Sequence, residues 1–263
     1  MTESSYPNSG GFFPSNGLPS PAASAVSTRS AASLPHPRGK ALRPGSSKED
    51  MIRRFAEQRL LNVSRRYVKK FGGADSTDSV VGFANFAEVC HELDSLVNVL
   101  WLSGTPFLQV PFLLKLASDF TQYVRAFPPS PRATFSLLSK LDHCFASLLC
   151  GHDIDSNEAL PGFDNGLSAG MTITDMVRCR SLVEQTRLLV VEMMSAEPDE
   201  DDDEDDDEED EYEDADMEKL HMDAARTFQH TIIQLGNRLG DPLISENVPQ
   251  NDIICAPTPK SGG

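Results

Sequence analysis

The chain has 263 residues, 39% of them apolar, and 23 Lys and Arg against 40 Asp and Glu give a formal net charge of −17. That length suits one or two domains, and an apolar share below the roughly 45–50% of ordinary globular chains points to segregated polar segments rather than to a weak core. Between Glu197 and Glu218 lie 18 acids and no base, so the acidity is local and the rest of the chain is close to neutral.

Residues 1–47 are rich in Ser, Pro, Ala and Gly without apolar periodicity, and are expected to be disordered because they bury too little surface to offset ordering entropy. A helical domain is expected over 48–195. Ser47, with Glu49 and Asp50 behind it, reads as a capped start. The run DMIRRFAEQRLLNVSRRYVKKF then sets Ile52, Phe55, Val63, Tyr67 and Phe71 on one side and bases on the others, ending at Gly72-Gly73. A second helix over about 80–103 steps through Phe83, Phe86, Val89, Leu93, Leu96, Val97, Leu100 and Trp101 at intervals of three and four.

Gly104-Thr105-Pro106 turns the chain into a third helix, reaching about Phe127, with Pro111 near its first turn. Ser130-Pro131 opens a fourth that carries Phe135, Leu138, Leu141, Phe145, Leu148 and Leu149 and closes at Gly151. Residues 152–170 form a loop of turn formers. Thr172 or Thr174 caps a fifth helix through Met176, Val177, Leu182, Val183, Leu189, Val190 and Met193. A disordered acidic loop is expected over 196–216, a C-terminal helix packing on the bundle over 217–241, and a disordered tail over 242–263. The predicted fold class is all-α, a bundle of five or six helices, since no segment alternates apolar and polar residues as strands do.

Several kinds of chemistry are missing from the sequence. No Gly-x4-Gly-Lys-Ser/Thr or G-x-G-x-x-G framework exists to wrap phosphates. Cys90 and His91, or His143 and Cys144, are adjacent and point about 100° apart on a helix, so neither pair chelates; there is no CxxC or HExxH. No nucleophile elbow surrounds any Ser or Cys. Asp142, Asp153 and Asp155 read as solvated carboxylates. The richest apolar window, 97–120, is broken by Gly104, Pro106, Gln109, Pro111, Lys115 and Asp119, so no membrane span is expected. The N-terminus is not a basic-then-apolar leader, so the five cysteines are expected to be reduced thiols.

Two charge features remain. Twelve bases face three acids between Arg29 and Lys70, and Arg53, Arg54, Arg65, Arg66, Lys69 and Lys70 are the candidates for binding nucleic acid or another anionic surface. Asp201, Asp202, Asp203, Glu204, Asp205, Asp206, Asp207, Glu208, Glu209 and Asp210 are the candidates for binding a basic partner, or for folding back on the basic helix and masking it.

The segments ALRPGSSKED, LLNVSRRYVKKF, LDSLVNVLWLSGTPFLQVPFLL, FPPSPRATFSLLSKLDHCFASLL and MTITDMVRCRSLVEQTRLLVVEMM, between Ala41 and Met194, resemble a family of short, uncharacterised helical proteins of filamentous fungi. That family often carries the label of a meiotic recombination protein of the RecA type. With no phosphate-binding loop here, the resemblance implies an accessory role without ATPase chemistry. The reading is a non-enzymatic interaction or scaffold protein, nuclear or nucleocytoplasmic. Its expected partners are proteins, with basic ones such as histone-like chains or import carriers one class, and nucleic acid a further one. No cofactor, metal or membrane enters it. Second comes an accessory factor in meiotic DNA recombination or chromatin, and third an enzyme of unrecognised type.

Overall fold

The computed structural model describes residues 33–71, 80–195 and 210–240, with backbone alone at 71 and 210–216. The described residues contain seven α-helices: α1 Ser47–Phe71, α2 Phe86–Leu102, α3 Pro106–Tyr123, α4 Pro131–Cys150, α5 Ile173–Ser195, α6 Asp210–Arg226 and α7 Gln229–Leu239. The all-α bundle expected from periodicity is what forms, and no strand occurs among the described residues beyond one isolated bridge, His152 with Ala159. The last expected helix divides in two. Phe228 sits in the left-handed region at φ 58°, which ends α6 and starts α7 while its ring stays buried against Phe145, 6.2 Å away.

Local chemistry sets most boundaries. Ser46, one residue before the expected cap, accepts the Glu49 amide, and the Glu49 carboxylate returns to the Gly45 amide. Asn85 caps α2 by accepting from the Glu88 amide at 3.0 Å. Thr172 and Asp175 satisfy each other's amides at the start of α5, a reciprocal capping box. Pro106 and Pro131 stand in the first turns of α3 and α4, where a missing N–H costs nothing. Gly151 closes α4 at φ 79° and lets the following loop fold back under Phe163.

The core is built on α2, α3 and α4, whose Trp101, Phe86, Phe120, Phe145, Leu93, Leu100 and Leu113 are fully buried. Helices α1 and α5 cover α2 and α3, while α6 and α7 lie on α4 and α5. On α1 the inward face is Ala56, Leu60, Val63 and Tyr67, whereas Phe55, expected inside, is exposed. On α5 Val177, also expected inside, faces outward.

Residues 33–46 fall within the segment expected to be disordered, yet they lie along the bundle with Leu34 and Leu42 buried. Arg38 donates to the Leu102 carbonyl and Leu42 to Thr105 Oγ1, so two apolar anchors and two hydrogen bonds hold a stretch with no periodicity. Helix α6 begins at Asp210, inside the range expected as an acidic loop.

Candidate functional site

Helix α1 brings the basic candidates to one surface, but most of them have partners at home. Arg53 binds Glu49 one turn back and lies over the Phe107 ring; Arg54 pairs with Asp50. Arg66 donates to Glu88, Glu92 and the Val81 carbonyl and sits 3.9 Å from the centre of the Phe83 ring, and Arg59 reaches the same Glu92 at 2.7 Å. Lys70 lies 3.6 Å from the centre of the Phe127 ring. Arg65 is exposed, and Lys69 is half-buried with an interaction of its own. The pairs of Arg59 and Arg66 with Glu88 and Glu92 fasten α1 to α2, and paired guanidinium groups have less to offer a phosphate.

Of the acidic candidates, Asp201 to Glu209 lie outside the described residues, and Asp210 is the first residue of α6. The ends of the run are nevertheless placed. Helix α5 delivers Ser195 at the end of the bundle where Glu192 meets Arg125 at 3.6 Å. The last turn of α1 reaches the same end, since Tyr67 stacks on Tyr123 at 4.4 Å and Lys70 on Phe127.

The acids and imidazoles of α4 are internal struts. Asp142, 5% exposed, accepts from the Thr231 amide, the Thr231 hydroxyl and the His230 amide and ring, which supplies a carboxylate to the free amides opening α7. His143, 3% exposed, meets Asp153 at 3.0 Å and turns its edge to Trp101. Asp153 Oδ1 also accepts the amides of Asp155 and Ser156. Burial works to raise the Asp153 carboxyl, but the His143 hydrogen bond and the two amides outweigh it and hold the group well below the usual carboxylate range. The hydrogen bond to Asp142 raises His230 above the ordinary imidazole value. Asp142 and Asp153 are therefore buried and fully engaged, not solvated as the sequence suggested, because α7 and the 152–160 loop pack on them. No signal in the sequence marks this, since Thr231 is 89 residues from Asp142.

Burial pushes the thiols up, Cys90 and Cys179 to about 12 and Cys144 further, and all four described cysteines are buried thiols. Such thiols are poor nucleophiles. No group of three or more His, Cys, Asp or Glu suited to a metal ion occurs among the described residues. None of the described helices is long and apolar enough to cross a membrane.

Clefts open on the surface of the described residues. One of about 1150 Å³ lies between the 33–39 segment and the 153–161 loop, bridged by His36 and Glu158 at 2.9 Å. Another, of about 760 Å³, lies between α4 and the α6–α7 junction and carries Arg132, Lys219, Arg226 and His230 at its rim. What the described residues leave outward is therefore relief, charged groups and exposed aliphatic side chains, which suits macromolecular contact.

The model of one family, TFB6, described as subunit 11 of the general transcription factor TFIIH, matches residues 82–236. A Schizosaccharomyces pombe protein, itself uncharacterised, is 27% identical over 147 residues, covering 55% of this chain and 78% of the relative. No solved structure matches. Neither finding bears on meiotic recombination, so that part of the resemblance goes without support, while similarity to an uncharacterised fungal protein stands. The family match runs from just before α2 into α7 and leaves α1 outside. The chain belongs to the family of subunit 11 of the general transcription factor TFIIH.

Proposed function

We propose that this protein is a non-enzymatic accessory subunit of a TFIIH-type transcription complex, working in the nucleus by docking its helical bundle onto protein partners. The observation that carries the reading is the family match over residues 82–236, which spans the packed body from α2 into α7. It agrees with the chemistry, because the buried acids, imidazoles and thiols are spent on holding helices together. The test is gel filtration of the purified full chain mixed with purified TFIIH. Co-elution supports the reading, and separate elution at micromolar concentrations of both overturns it.

Within that role, the acidic run is proposed to act electrostatically, on a basic partner or on the bases near the end of α1. Two features support the second choice: Arg65 and Lys69 lie in the last turns of α1, and Ser195, from which the run departs, stands at the same end of the bundle. Deleting residues 197–209 spares α6 and should strengthen salt-sensitive binding to duplex DNA in a fluorescence anisotropy titration. Unchanged affinity would count against masking.

A further inference from the structure

Helix α5 buries Met176, Cys179, Val183, Thr186, Leu189 and Val190 against the bundle. On the opposite side Ile173, Val177, Leu188 and Val191 are 73%, 56%, 66% and 61% exposed. At 100° per residue these four fall within about 60° of arc, one line about 27 Å long at 1.5 Å per residue. Single exposed aliphatics are ordinary, but four on one line, two at each end, form an apolar stripe with a polar middle. At its centre stand Arg180 and Glu184, paired at 3.0 Å and about half exposed. A shallow groove of about 160 Å³ between α5 and α7, with Ile232 on its far wall, opens beside that pair.

The order along the stripe is apolar, apolar, cation, anion, apolar, apolar, with a second cation, Arg187, exposed along one edge. Turned end for end about residue 182, it meets its own complement. Ile173 falls opposite Val191, Val177 opposite Leu188 within one residue, and Arg180 opposite Glu184 in both halves. An isologous two-fold contact needs this property, since each residue on one copy must suit its counterpart on the other. Antiparallel pairing also sends the two acidic runs, which follow Ser195, to opposite ends of the interface, where they repel least.

We infer that the outer face of α5 is a homodimerisation surface, occupied by α5 of a second copy in antiparallel register about residue 182. One helix and a shallow groove cover less than the roughly 1,600 Å² of a standard interface, so the dimer is weak and concentration-dependent.

Sedimentation velocity of the full chain across a concentration series tests this, with circular dichroism to confirm the fold. The wild type should pass from monomer to doubled mass. Arg180→Glu or Glu184→Arg alone sets like charges opposite each other, and each should weaken association about tenfold or more. The double variant restores opposite charges and should dimerise again. An equimolar mixture of the two single variants should form heterodimers that neither forms alone. A wild type that stays monomeric throughout would overturn the inference and leave the stripe to a different partner, as would single variants that associate like the wild type.

Discussion

Helices α1 and α5 are the two longest in the bundle, at 25 and 23 residues, and they use their outer surfaces in opposite ways. By composition α1 is the interaction helix, with bases on every side but its apolar one. In the fold Arg53 and Arg54 turn to Glu49 and Asp50 within α1, while Arg59 and Arg66 turn to Glu88 and Glu92 and secure α1 to α2. By composition α5 is an ordinary amphipathic helix, yet it leaves a line of large aliphatics uncovered. Residue type alone does not reveal a surface's role; what matters is whether neighbours in space have already satisfied its chemistry.

The largest effect that would sharpen this contrast separates two adjacent leucines on α5. Leu189 is 4% exposed and Leu188 is 66% exposed. Leu189→Ala should cost about 2–5 kcal/mol of stability and Leu188→Ala no more than about 0.5 kcal/mol, as read by urea unfolding below the association range. Equal costs would show that the outer stripe is packed after all.

Next comes the clamp beneath α1. Glu92→Ala strips a shared carboxylate from Arg59 and Arg66 and should destabilise by about 1–3 kcal/mol. It should also raise heparin affinity, because Arg59 is released and Arg66 loses one of its two carboxylates. Lost stability without gained affinity would mean that α1 makes no anion site even when freed.

A smaller effect concerns how α7 is held. His230 is raised above its ordinary value by Asp142, so its contribution is fully present below about pH 6.5 and fades as pH rises through the higher folded value. His230→Gln should flatten that part of the urea-midpoint profile between pH 5.5 and 8.5. An unchanged slope would place the pH dependence elsewhere. The smallest effect belongs to Arg54→Ala, since a pair 74% and 51% exposed is worth only about 0.3–0.5 kcal/mol.

Much of the fold was legible. The steps of three and four in α2 and α4 mark the helices that form the centre, and Pro106, Pro131 and Gly151 punctuate them where helix chemistry requires. Less legible were features made by contact. Phe55 and Val177 look apolar and inward by type, yet the faces that pack are set by which helix lies alongside. The 33–46 segment has no pattern of its own, and its anchors Leu34 and Leu42 acquire meaning only where α2 and the turn into α3 offer a surface. Of the candidate site, the basic positions were visible, but their engagement depends on Glu88 and Glu92, more than 20 residues away.

From the chain alone follow the all-α class, the order of helices along it and the separation of basic and acidic stretches, because these depend on neighbours a few residues apart. The tertiary structure alone decided which charges are spent and which apolar side chains stay uncovered. Both depend on what lies across a helix interface, and residues that meet there, such as Asp142 and Thr231, carry no mark of one another in linear order.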